Sequence, residues 1–210
     1  MYMDNKYKFY FMHSTTYNNL LSIIEDEEIR LGDEPVDNER VLSTGHDKVY
    51  LNIRFDDLKN INTSPHRYVL LLSAQILKDY DVEVDKGWGH ASFMTITKND
   101  PAIDSKIKKI YNFVKKPDLP KMLLSIDFMQ HQFLLSQRVN IKKYLIGIVS
   151  MHFENSELIT IRDKLIEHDL DHITIYSNYP TCDYLINDRN QKEIKIDLSY
   201  ASNNIYFNEQ

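Results

Sequence analysis

The chain predicts an α+β fold, one domain with central mixed or antiparallel sheets flanked by helices. Three observations point there. Segments of strand character outnumber helical ones, the two kinds do not alternate as they do in βαβ proteins, and 210 residues at 42% hydrophobic content suffice for one well-buried domain. The elements follow in order. Tyr7 to Met12 is almost continuously aromatic or apolar, which suits a strand buried on both faces. Tyr17, Leu20, Leu21 and Ile24 then fall at helical spacing. A short strand at Ile29 to Leu31 precedes a polar loop from Gly32 to Lys48. Strands are predicted at Val49 to Ile53, Tyr68 to Ser73, Val82 to Val84 and Phe93 to Ile96. Ile107, Ile110, Tyr111 and Val114 share one face of a helix over Asp104 to Val114.

Lys115-Lys116-Pro117-Asp118-Leu119-Pro120 breaks both periodicities and reads as a loop within the domain. Beyond it come a strand at His131 to Leu135 and a dense apolar strand at Tyr144 to Val149. A helix at Ser156 to His168 and strands at His172 to Ser177 and Glu193 to Leu198 complete the chain.

Composition excludes several function classes. A formal net charge of −6 argues against a protein whose main task is coating nucleic acid, although a local basic groove remains compatible with it. Cys182 is the single cysteine, so neither an intramolecular disulfide nor a thiolate zinc cluster forms, which fits a reducing compartment, cytoplasmic or nuclear. The N-terminus lacks the order of a signal peptide, and no run approaches the ~20 apolar residues that span a bilayer, so the expectation is a soluble protein that is not secreted and has no membrane partner. Scarce glycine with abundant Tyr, Asn, Ile, Lys and Asp looks like the bias of an AT-rich genome, such as that of a large DNA virus or a protist.

The eight histidines are scattered without zinc-site spacing and the acidic clusters lack the spacing of a calcium loop, so no metal is expected. Gly87-Trp88-Gly89 brackets an aromatic that either plugs the core or offers a stacking surface. The most informative stretch is the switch from strand to helix at His13-Ser14-Thr15-Thr16. Thr15 or Thr16 can cap the helix, and the free amides of its first turn make a cradle for an anion or an amide, with His13 at the rim.

Two family resemblances compete for these residues. His13-Ser14-Thr15 and His172-Ile173-Thr174 form a pair of His-x-Thr tripeptides that resembles the motif pair of two-histidine phosphoesterases, where paired histidines act as acid and base on a phosphodiester. The order of several segments resembles something else. His13-Ser14-Thr15 followed by Asn19-Leu20, then Val49-Tyr50-Leu51-Asn52 with Ser43-Thr44-Gly45 ahead of it, then His131-Gln132-Phe133-Leu134-Leu135, is similar to the motif order of ADP-ribosyltransferases in the poly(ADP-ribose) polymerase and DNA-targeting toxin branch. These motifs occupy residues 8–150, leaving 151–210 for a C-terminal helix and strands. The resemblance implies NAD as substrate, a protein or nucleic-acid acceptor, His13 and Ser14 (with Thr15 and Ser43) holding NAD, and Asn19 supporting the turn. It also implies that Tyr50 packs on nicotinamide, with Arg54 available to the pyrophosphate. Gln132 stands where the family places its catalytic glutamate, and an amide cannot carry the negative charge that stabilises an oxocarbenium-like ribose. A degenerate member, or a non-enzymatic interaction or virion-associated protein on the same fold, is the corresponding alternative.

Overall fold

The computed structural model describes residues 9–32, 48–55, 68–84, 94–114, 132–150, 155–179, 182–186 and 193–195. The first half of the chain supplies β1 (Phe9–Thr15), α1 (Tyr17–Asp26), β2 (Glu28–Ile29), β3 (Val49–Phe55), β4 (Tyr68–Leu72), α2 (Ile76–Asp79), β5 (Val82–Val84), β6 (Met94–Ile96) and α3 (Ile103–Val114). The second supplies β7 (Gln132–Leu135), β8 (Val139–Asn140), α4 (Ile141–Tyr144), β9 (Leu145–Ser150), α5 (Asn155–Glu167), β10 (Thr174–Tyr179), β11 (Cys182–Ile186) and β12 (Glu193–Lys195). Among the described residues ten strands form one sheet, in the order β12-β11-β10-β9-β4-β1-β3-β7-β5-β6, and β2 pairs with β8 apart from it. Only β9 and β10 run parallel among these pairs. The fold class is the α+β one that the sequence predicts.

The centre is dry because its residues are apolar on both pleat faces. Every residue of β4 is buried, from Tyr68 to Leu72, between β1 and β9. Phe11 is fully buried with its ring 4.9 Å from that of Phe133. α1 contributes Leu20, Ile23 and Ile24 to the same core.

The turn after α1 ties three elements together. Glu27 ends the helix in the left-handed region at φ 60°, a conformation disfavoured for a residue with a Cβ. Its carbonyl accepts from the Ile141 amide at 2.8 Å, and its carboxylate meets Lys142 Nζ at 2.8 Å and His168 Nδ1 at 3.3 Å. Those hydrogen bonds, from Lys142 first and then His168, hold the Glu27 carboxyl below its ordinary range. α1, α4 and the end of α5 are thereby docked on one another.

Several sequence expectations are corrected. β1 does not stop at Met12 but continues through His13 and Ser14 to Thr15, because β4 offers it a ladder out to Thr15↔Tyr68. Tyr144 closes the helical turn of α4 instead of opening β9. The short helices α2 and α4 and the strands β8 and β11 are additions. The proline loop at 115–120, Trp88 and Ser43 lie outside the described residues.

Candidate functional site

The geometry that singles out a site is a seam between two strands. The β1–β3 ladder runs from Phe9↔Phe55 to Met12↔Asn52 and ends there. Beyond Met12, β1 keeps pairing with β4 as far as Thr15, while β3 keeps pairing with β7 as far as Val49↔Leu135. His13 to Thr15 and Val49 to Leu51 therefore belong to diverging halves of one sheet, and the row Met12, Asn52, Gln132 marks the apex of the divergence.

His13 bridges the seam. Its Nδ1 lies 3.0 Å from the carbonyl oxygen of Tyr50. A carbonyl only accepts, so Nδ1 carries the proton, and in the neutral ring Nε2 is the acceptor. Half-buried Ser14 follows it. Of the two threonines proposed as caps, Thr16 performs the role: its hydroxyl accepts from the Asn19 amide at 3.4 Å. Thr15 is buried at 4% exposure and sits opposite Tyr68. Asn19 thus supports the turn through its backbone. No acidic side chain occupies the first turn of α1, so the partial positive charge of its amide end is not offset from within the helix.

Around the seam the sheet has one dry face and one open face. In β3, Val49, Leu51 and Ile53 are buried while Tyr50 and Asn52 are half-buried, the alternation of an antiparallel strand with one solvated side. Register extends the open face across neighbouring strands: Tyr50 faces Leu134, and Leu134 faces Glu83. Lys48, one position before β3, adds to it. Its Nζ donates to Ser136 Oγ at 2.5 Å and lies 3.6 Å from Glu83 Oε1. The sequence reading missed this Lys48, Ser136 and Glu83 cluster; the period-2 order Lys48, Tyr50, Asn52 between buried residues was the available signal.

The remaining candidates separate. Gln132 opens β7 directly opposite Asn52, two positions from the residue that faces Tyr50. Arg54 lies opposite Tyr10, in the closed part of the ladder and about 13 Å along the strand from Tyr50. His172 does not join His13. It is exposed in the turn before β10, and β10 is three strands from β1, a lateral separation of about 14 Å. Two histidines so placed cannot act on one phosphodiester, which overturns the phosphoesterase reading.

A polar pair of buried Tyr68 and half-buried Glu157 stands at the end of the sheet near α1. The Tyr68 hydroxyl donates to the Glu157 carboxylate, and burial, followed by that carboxylate, pushes the phenol above its ordinary range. The Tyr17 ring lies 6.0 Å from that of Tyr68. At the opposite end of β4 and β9, a shallow groove of about 570 Å³ is lined by Asp79, Tyr80, Asn140 and Tyr144 among others. Its Lys143 is held by Asp79 at 2.7 Å. Among the described residues no group of three or more His, Cys, Asp or Glu is gathered to hold a metal, and no helix is long and apolar enough to cross a membrane.

Residues 6–117, more than half of the chain, match a family model described as a family of unknown function, DUF5846. The chain belongs to that family. A curated relative, "Uncharacterized protein R11" of Acanthamoeba polyphaga mimivirus, is 29% identical over 157 residues, 71% of this chain and 58% of that protein. The chain therefore spans about 58% of the length of the relative it matches. A relative in a large DNA virus agrees with the compositional bias. Among solved structures, DarT of Thermus sp. 2.9 in complex with NAD+ is similar at a TM-score of 0.54 and 15% identity, covering 83% of this chain and 97% of that one. The same protein with carba-NAD+ gives a TM-score of 0.52 at 16% identity, covering 76% and 91%. Its complex with ADP-ribosylated single-stranded DNA gives 0.50 at 13%, covering 76% and 90%. The fold is thus the ADP-ribosyltransferase one that the motif order resembles.

Proposed function

We propose that this chain binds NAD in the seam between β1 and β3, as an ADP-ribosyltransferase-like protein whose transfer step is attenuated by Gln132. The observation that carries the reading is the His13 to Tyr50 bridge at the point where the two halves of the sheet part. With Nδ1 committed to a carbonyl, Nε2 accepts from a ribose hydroxyl, Ser14 and the capped turn receive the carboxamide, and Tyr50 offers its ring to nicotinamide. The similar DarT structures hold NAD+ and carba-NAD+, which supports NAD as the ligand.

In such a site the glycosidic bond between ribose and nicotinamide breaks with positive charge developing on the ribose. A carboxylate at the register position of Gln132 would stabilise that charge, whereas an amide offers only a dipole. Loss of one aligned electrostatic partner costs about 10²–10³ in kcat. The acceptor, when transfer occurs, is a protein or a nucleic acid; the similar structure holding ADP-ribosylated single-stranded DNA favours the second.

Thermal-shift titration of the full chain with NAD, together with nicotinamide release by the wild type and by Gln132→Glu, tests the reading. Saturating NAD should stabilise both proteins, by about 2.7 kcal/mol at 100 times the dissociation constant, and Gln132→Glu should release nicotinamide about 10²-fold faster. No stabilisation of either protein at millimolar NAD would leave the non-enzymatic interaction reading in its place.

A further inference from the structure

We infer that Lys48 is the pyrophosphate-binding residue of the seam, held ready by Ser136 and restrained by Glu83. This inference rests on the proposal that the seam binds NAD, and it names the subsite for the dinucleotide's charged middle.

Position comes first. Lys48 is two residues before Tyr50, so it falls on the same open face, one side-chain row nearer the mouth of the seam. The two Cα atoms are about 7 Å apart along the strand, the span of one ribosyl unit. A nicotinamide stacked on Tyr50 therefore delivers its pyrophosphate to the row of Lys48 and Ser136. Continuing the ladder beyond Val49↔Leu135 brings Lys48 level with Ser136, and the 2.5 Å contact between their side chains follows from that register. The Lys48 backbone is fixed as well, because its carbonyl accepts from the Gly32 amide at 3.1 Å.

Electrostatics comes second. The Lys48 side chain is only 18% exposed, while that of Glu83 is 49% exposed. A cation this far withdrawn on a solvated face needs a counter-charge, and at 3.6 Å Glu83 provides a loose one. Ser136 contributes an oxygen without charge. A pyrophosphate entering the mouth brings a denser negative charge than a half-exposed carboxylate, and its oxygens can accept from both Lys48 and the Ser136 hydroxyl. Glu83 then faces a like charge and opposes binding. Removing the lysine and removing the glutamate therefore act with opposite sign, a pattern that simple structural damage to this corner does not produce.

Calorimetric titration of the full chain with NAD and with nicotinamide riboside, which lacks the pyrophosphate, reads this out. Lys48→Met should weaken NAD by about tenfold or more, with Lys48→Arg restoring most of the loss, while nicotinamide riboside affinity stays within twofold. Glu83→Gln should tighten NAD severalfold, and the gain should shrink as salt is raised. Equal loss of both ligands in Lys48→Met would overturn the subsite, as would unchanged NAD affinity with weakened binding of a single-stranded oligonucleotide. Loss of NAD affinity in an Arg54→Met variant and not in Lys48→Met would move the subsite up the strand and overturn it too. Wild-type chain that binds neither NAD nor the riboside would instead overturn the proposal on which this one rests.

Discussion

The two halves of the sheet on either side of the seam are built from the same antiparallel pairing but solve different problems. On the β9, β4 and β1 side, β4 is buried on both faces, and Tyr10 and Met12 are 4% and 9% exposed on the face where β3 carries half-buried Tyr50 and Asn52. On the β3, β7 and β5 side only one face is dry: Val49, Leu51, Phe133, Leu135, Val82 and Val84 pack inward, while Tyr50, Asn52 and Leu134 are half-buried and Glu83 is exposed. A doubly buried sheet gives rigidity and no access. A singly buried one gives access, and setting the two edge to edge holds an open surface against a largely buried strand. His13 and the Tyr50 carbonyl to which its Nδ1 donates lie where the two halves part.

The contrast can be broken most severely inside β7. Phe133 is fully buried against Phe11, so Phe133→Ala should cost about 3–5 kcal/mol of unfolding free energy. Leu134→Ala, one residue along and on the open face, should cost less than half of that by urea denaturation. Equal losses would show that β7 has no open face. A smaller effect is expected at the doubly buried end. Tyr68→Phe removes the phenolic donor to half-buried Glu157 and should cost about 0.5–1.5 kcal/mol; an unchanged melting curve would mean that this hydrogen bond contributes nothing to stability.

A third test uses pH. Asp100 is 5% exposed and accepts from Lys106 Nζ and from the amides of Thr97 and Ala102. Those bonds, Lys106 first, hold its carboxyl below the ordinary value of 3.8. A depressed folded pKa means that the unfolded chain takes up the proton more readily. The associated stability is present above the unfolded value and lost as pH falls through the folded one. Asp100→Asn should therefore lower stability near neutral pH and flatten the acid limb of the stability profile below about pH 4. An acid limb of unchanged slope would contradict this assignment.

Much of this architecture is legible in the amino-acid sequence because it rests on local periodicity. The apolar runs of β3, β4 and β9 and the helical stripes of α1, α3 and α5 announce themselves segment by segment. Ile76 to Asp79 and Ile141 to Tyr144 do not, since a four-residue helix holds barely one turn of pattern. The end of β1 misleads for a different reason. His13, Ser14 and Thr15 look like the close of a strand by composition, and only the partner β4 keeps them in the ladder. The candidate site divides the same way. His13, Tyr50 and Gln132 emerge from the order of motifs, and the register brings them to three adjacent strands. The Lys48 cluster depends on Ser136, 88 residues away, and on the offset between two ladders. Neither is written in any one segment.

The central claim is that the seam bridged by His13 holds the nicotinamide ribosyl end of NAD. Calorimetric titration of NAD into the full chain, wild type against His13→Ala, measures this most directly, with circular dichroism confirming that both are folded. The account predicts saturable one-site binding to the wild type and a loss of about tenfold in His13→Ala, the worth of one hydrogen bond of about 1.4 kcal/mol. NAD affinity that is identical in the two folded proteins would contradict it.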